Sequence, residues 1–164
     1  MSEKPTTSID QSNISNENLV SAFFKNAVSQ GEKPLLFHKK RGKWTGTTWN
    51  EVAESIKRLS GALVAAGVQP RDRVMICSEN RPEWAIADLA IMAIGAIVVP
   101  AYTTNTEDDH VYIMEHSGAV VIITSGGILG NRVALAASRV PNIRMLITMD
   151  SDTTLPDLAA ATVY

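Results

Sequence analysis

Residues 73–124, RVMICSENRPEWAIADLAIMAIGAIVVPAYTTNTEDDHVYIMEHSGAVVIIT, read as strand, helix, strand, helix, strand. Arg73 to Cys77 is a short apolar run that Asn80-Arg81-Pro82 turns into a helix. Pro82 suits a first helical position, because the N–H it lacks would have no intrahelical partner there. Gly95 closes the helix, and the β-branched run in Ala96 to Val99 supplies the next strand. A further helix starts near Thr106 and gives way to a strand over 120–124. Outward from this stretch, a helix from about Ile128 to Arg139 and a strand over 144–149 continue the alternation. Short apolar strands separated by helices imply right-handed β-α-β crossovers. The expected fold is therefore α/β, a mostly parallel sheet with helices on both faces.

Upstream, Leu19, Phe23, Phe24 and Val28 mark a short amphipathic helix ending at Gly31. Pro34 to His38 and Lys43 to Thr45 flank the basic turn Lys39-Lys40-Arg41-Gly42 and form a hairpin pattern. Thr48-Trp49-Asn50-Glu51 has the capping-box spacing. Trp49, Val52, Ile56, Leu59 and Leu63 then recur at steps of three and four, the apolar face of a helix over 49–66 that Gly67 closes. Helix 82–94 carries only Glu83 and Asp88 as charges, so it should be covered on more than one side. The final LPDLAAATVY begins a helix-like pattern with no stop signal.

The chain has 164 residues, 45% hydrophobic and 20% charged, enough for one domain with a sizeable core. A net charge of −2 supplies no overall basic field for nucleic acid or anionic lipid. The single cysteine, Cys77, cannot form an internal disulfide, which fits a reducing cytoplasm. Residues 1–18 are polar, have no apolar signal core, and read as a flexible lead. The apolar stretch from Leu89 to Tyr102 has 14 residues and contains Gly95 and Pro100, short of the roughly 20 a membrane span requires.

Asn80-Arg81-Pro82-Glu83-Trp84, then Gly95-Ala96-Ile97-Val98-Val99-Pro100-Ala101-Tyr102, then the acidic helix closing on His116-Ser117-Gly118-Ala119, resemble the amino-terminal part of the AMP-forming acyl-CoA ligases. Within that adenylate-forming superfamily the long-chain fatty-acid members are the most similar. The resemblance runs from about residue 19 to 160 and implies that residues 19–164 are an incomplete piece of the family's large AMP-binding domain. It implies adenylation of a fatty acid at the expense of ATP, with Mg2+, followed by thioester formation with CoA, in the full-length enzyme. The rest of the ligase polypeptide, fatty acid and CoA are the partners so implied. The location implied is cytoplasmic, with peripheral membrane attachment of the full-length enzyme left open.

The family's Ser/Thr/Gly-rich phosphate loop with its lysine, its magnesium-binding glutamate, its ribose-binding aspartate and its late adenylation lysine have no match in this sequence. No catalytic residue is assigned, and the chain alone is expected to be inactive and to hold none of these cofactors tightly. Tyr102, Thr103 and Thr104 follow the carboxyl end of a parallel strand, where open α/β sheets place ligands. In the family this segment lies near the nucleotide and pantetheine cleft, and Arg132 matches loosely the arginines that contact CoA phosphate. These four are the cofactor-site candidates; a turn and helix cap is the plainer reading of Thr103-Thr104-Asn105.

Ser125-Gly126-Gly127-Ile128-Leu129-Gly130 follows a strand and opens a helix, with Asp150 twenty residues beyond Gly130. That arrangement approaches a dinucleotide fingerprint, but the first glycine is Ser and two strands and two helices precede it. A glycine-rich turn is the preferred reading. His110 and His116 are six apart and share no helix face, so no metal site is expected. Ser78 and Ser125 lack a nucleophile-elbow context. Cys77 reads as a small apolar strand residue, Trp49 and Trp84 as core anchors, and Lys39-Lys40-Arg41 as a solvated turn. Glu107-Asp108-Asp109 complements the helix dipole. Against the ligase-fragment reading stand a self-contained Rossmann-like nucleotide- or acyl-binding module and an inactive interaction fragment.

Overall fold

The computed structural model describes residues 18–40, 42–150 and 161–163. The polar lead, apart from Asn18, Arg41 of the basic turn, and the closing stretch apart from 161–163 lie outside the described residues. The elements run α1 (Leu19–Gln30), β1 (Pro34–Lys40), β2 (Lys43–Thr48), α2 (Trp49–Ala65), β3 (Arg73–Cys77), α3 (Pro82–Ala93), β4 (Ile97–Pro100), α4 (Glu107–Ser117), β5 (Ala119–Thr124), α5 (Gly127–Ser138), β6 (Met145–Thr148) and β7 (Ala161–Val163).

β1 and β2 form an antiparallel hairpin, and the other strands form one sheet in the order β4-β3-β5-β6-β7. Every pairing in that sheet is parallel. β7 departs from the sequence reading, which expected a helix at the end of the chain. Thr162 and Val163 are β-branched, and Ala161 to Val163 pair with Leu146 to Thr148, which would otherwise be a sheet edge.

Local chemistry sets the boundaries. Thr48 accepts from the Glu51 amide while Glu51 accepts from the Thr48 amide, the reciprocal box expected at α2. Thr106 and Asp109 make the same exchange at α4, so Asp109 is a cap as well as a dipole partner. Glu107 and Asp108 instead hold Arg139 at the far end of α5. Gly118 ends α4 at φ 66°, and its carbonyl and that of Ser117 accept from Arg73 of β3. A Cβ on Gly118 would come within 2.6 Å of the Arg73 guanidinium, so the turn requires glycine for both φ and space.

Three apolar clusters hold the layers together. On one face of the sheet, Leu63 of α2 and Ala87 and Ile91 of α3 pack on Val74, Ile76, Val121 and Ile123. On the other, Met114 of α4 and Leu129, Val133 and Ala136 of α5 pack on Met75, Ile122 and Leu146. A third cluster of Phe23, Val52, Ile56 and Ala90 joins α1 to α2 and α3, with Trp49 and Leu36 against it. α3 therefore faces both the sheet and two helices, as its nearly uncharged surface requires. Trp49 is a core anchor as expected, its ring 5.4 Å from that of Phe23. No helix among the described residues is long and apolar enough to cross a membrane.

Candidate functional site

The crossover helix after β3 lies on the α2/α3 face, while those after β4 and β5 lie on the opposite face. The winding direction therefore reverses beside β3. Open α/β sheets place their ligand crevice outside the carboxyl ends of strands at such a reversal. Cys77 and Ser78 leave β3 at this point, and Thr124 and Ser125 end and follow the adjacent β5, all four buried.

The Thr124 hydroxyl donates to the Cys77 carbonyl at 2.9 Å, and the Ser125 amide reaches the same oxygen at 3.3 Å. The loop after β4 folds across this edge. Its Ala101 amide donates to Ile76 O at 2.9 Å, and the Cys77 thiol lies 3.7 Å from Tyr102 O. Arg132 of α5 secures the loop from below, its Nη1 donating to Thr103 O at 3.3 Å and Asn105 O at 3.0 Å. Beside the loop, Ser78, Glu79, Asn80, Trp84 and Pro100 to Thr103 line a cleft of about 590 Å³.

The four candidates thus separate by position. Tyr102, 80% exposed, and half-buried Thr103 line the cleft. Thr104 is exposed and does not line it, and Arg132 contacts the loop backbone from the opposite side. Arg132 Nε and Nη2 make no hydrogen bond among the described residues, so they remain the donors an anion could meet. Ser78, Glu79, Asn80 and Trp84 line the cleft as well, and Trp84, expected as a core anchor, is only partly buried against the α2/α3 cluster. The rule that picked out residues 100–105 applies equally to the residues just past β3.

Behind the loop, His110 Nε2 stands 3.9 Å from the Cys77 sulfur, though the two are 33 positions apart in sequence. Burial pushes the Cys77 thiol up to about 11, with the Glu79 charge adding to it and Arg132 opposing. Burial, helped by Arg132, lowers His110 below the ordinary histidine range, so the ring is neutral at pH 7. Two neutral groups make this a packed polar pair with no thiolate nucleophile. Among the described residues, no group of three or more His, Cys, Asp or Glu side chains is placed to hold a metal ion.

The glycine turn at the start of α5 is already engaged. Asp150, at the end of β6, accepts from the Gly126 amide at 2.6 Å and from Arg81 Nη1 at 2.9 and 3.0 Å. That amide bond, opposed by burial and reinforced by Arg81, holds the Asp150 carboxyl below its usual range. Arg81 also grips Glu83 at 2.9 Å, and these partners raise its guanidinium further above neutrality. A protein carboxylate thus sits where a pyrophosphate would bind in a dinucleotide fold. Asp150, the ribose-binding candidate of that reading, is a cap and ion-pair partner.

The AMP-binding enzyme family model matches residues 23–162. A long-chain-fatty-acid–CoA ligase of Mycobacterium tuberculosis is 38% identical over 106 residues, 65% of this chain and 18% of that protein. A benzoate CoA ligase from Burkholderia xenovorans superposes with a TM-score of 0.72 at 26% identity, covering 83% of this chain and 26% of its own. The acetoacetyl-CoA synthetase of Streptomyces lividans shares the fold at a TM-score of 0.79 and 22% identity, over 87% of this chain and 23% of its own.

Proposed function

Because the chain belongs to the AMP-binding enzyme family, we propose that it is the amino-terminal portion of a long-chain fatty-acid–CoA ligase and is inactive by itself. Residues 19–164 are then one wall of the large AMP-binding domain, and the chain carries less than a fifth of the matched Mycobacterium ligase. The observation that carries this reading is the continuous family match over residues 23–162, laid on a parallel sheet with a cleft at its carboxyl edge.

The cleft suits the pantetheine arm or nucleotide of CoA. Tyr102 and Trp84 offer aromatic surface, Thr103 and Asn80 offer hydrogen bonds, and Arg132 offers two free donors behind the loop. Thr104 stands exposed on the same loop, within the segment that such a ligand would pass. ATP does not fit in the same way. The one glycine-rich turn that opens a helix has its Gly126 amide filled by Asp150, and no lysine stands in that turn. The triphosphate and its Mg2+ must be held by the remainder of the ligase polypeptide, which is the expected partner of this chain. The cytoplasm, where ATP and CoA are drawn on, is the proposed site of action.

The apolar groove on the α2/α3 face supports a role as part of a larger body. Leu59, Ile86, Ala87, Ile123, Ile147 and Met149 line a cavity of about 430 Å³ there. Surface of that kind is covered in a complete domain.

The test is direct. Purified chain is incubated with palmitate, ATP, Mg2+ and CoA, and pyrophosphate and acyl-CoA are measured. No product above a boiled control is expected; palmitate-dependent pyrophosphate release would overturn the assignment of catalysis to the rest of the enzyme.

A further inference from the structure

His110 is completely buried, and its ring Nδ1 has no hydrogen-bond partner among the described residues. Buried polar atoms are almost always bonded, so this one is an exception with a physical consequence. The neighbouring thiol fixes the tautomer. Cys77 has one proton and directs it at Tyr102 O, 3.7 Å away. The 3.9 Å contact between the sulfur and His110 Nε2 is then closed by a proton on Nε2, which leaves Nδ1 bare. Imidazole, thiol and loop carbonyl thus form one chain from α4 to the cleft edge. Arg132 makes a second hold on the same loop, its Nη1 donating to the carbonyls of Thr103 and Asn105.

Nδ1 is where a further proton would go, and the surroundings oppose it. From α5 the Arg132 charge acts on the ring, and that helix has no other charged residue. β5 carries no charged side chain, and Arg73 of β3 is at the opposite end of its strand, bound to Ser117 O and Gly118 O. The Cys77 thiol is neutral, and Glu79 beyond it is exposed. The loop presents only Tyr102, itself 80% exposed. On α4, Glu107 and Asp108 pair with Arg139, while Glu115 and His116 are exposed toward its far end. Asp109 favours a cation at His110, but it is exposed and already accepts from the amide and hydroxyl of Thr106. An imidazolium here would be buried beside the guanidinium that holds the loop.

We propose that His110 is a proton-operated catch for the loop from Ala101 to Asn105: protonation at Nδ1 releases the loop and Arg132 from the sheet edge and opens the cleft. The proton comes from solvent and forms the Nδ1–H bond while the loop is open, and no other covalent bond changes. In the open loop the histidine has its ordinary pKa of about 6.5; in the closed one, burial and then Arg132 hold it lower. Closure is therefore fully favoured above about pH 6.5. Below it the opening constant rises about tenfold per pH unit until the closed-state value is reached. The cleft is the one the ligase reading gives to CoA, but the catch needs no ligand and no catalysis. Its failure would leave that reading intact.

The experiment is amide hydrogen exchange by NMR on the full chain from pH 7.5 to 5, corrected for the intrinsic pH dependence of exchange. The Ala101 amide, which donates to Ile76 O, reports the loop, and the amides of β5 report the sheet. Low urea separates the two, since a local opening ignores it and global unfolding does not. Ala101 should exchange through a urea-independent opening, with protection level above about pH 7 and falling roughly tenfold per unit below about 6.5. His110→Gln should hold the neutral protection down to pH 5, whereas His38→Gln and His116→Gln should titrate as wild type. Arg132→Gln should raise the opening at pH 7.5 about tenfold through loss of its two carbonyl contacts. A level wild-type profile at Ala101, or exchange there only with β5, would overturn the proposal without recourse to any variant. So would a pH response that survives His110→Gln, or an unchanged opening in Arg132→Gln.

Discussion

Replacing Asp150 by alanine removes one carboxylate from three structures at once. It frees the Gly126 amide at the start of α5 and breaks the link from Arg81 at the start of α3 to the end of β6. Loss of an oxygen cap costs about 1 kcal/mol. The ion pair adds about 0.5 kcal/mol, because the Asp150 side chain is 39% exposed and solvent screens it. The sum, about 1.5 kcal/mol, corresponds to a fall in melting temperature of roughly 3–6 °C for a chain of this size. Asp150→Asn keeps an acceptor for Gly126 and loses only the charge, so its fall should be about a third as large. The depressed carboxyl also fixes the pH dependence. A folded-state value below the unfolded one stabilises fully above the ordinary carboxylate range and is lost as pH falls through the folded value. The difference between wild type and Asp150→Ala should therefore be constant from about pH 5 to 8 and shrink below about pH 4. Thermal melts followed by circular dichroism across that range measure it. An Asp150→Ala melt within a degree of wild type at pH 7, or a gap that widens in acid, would refute the node's role.

Three further outcomes follow from the packing. Gly118→Ala forces a left-handed φ on a residue with a Cβ and pushes the Arg73 guanidinium off two carbonyls, so it should cost about 2–3 kcal/mol in urea unfolding. Cys77, fully buried with its thiol raised to about 11, should resist iodoacetamide at pH 8 in the native chain and react promptly in urea. The apolar cavity lined by Ile86, Ile147 and Met149 should bind an environment-sensitive dye and promote self-association in size-exclusion chromatography. A monodisperse monomer with no dye signal and a sharp melt would favour a self-contained module.

Much of the fold was legible because its signals are local. Pro82 at the start of α3, the Thr48/Glu51 box and Gly118 at the end of α4 each act within about one helical turn. The alternation of apolar strands with helices then leaves parallel pairing as the economical topology. What escaped depends on residues distant in sequence. The approach of His110 to Cys77 spans 33 positions, and the hold of Asp150 on Gly126 spans 24. Arg132 is instructive, since a loose family resemblance pointed to a CoA phosphate while the fold spends one of its nitrogens on the carbonyls of Thr103 and Asn105. The cleft wall at Ser78 to Asn80 follows from the strand-end rule at β3, but it faces the loop after β4 only because β3 and β4 are neighbours in the sheet, a pairing no local signal announces.

The central claim, that this chain is the front of a longer ligase, is tested most directly by sequencing the DNA beyond the Tyr164 codon. The account predicts a Ser/Thr/Gly-rich phosphate loop ending in lysine and, far downstream, the adenylation lysine, in frame or one frameshift away. A stop codon followed by unrelated sequence would contradict it.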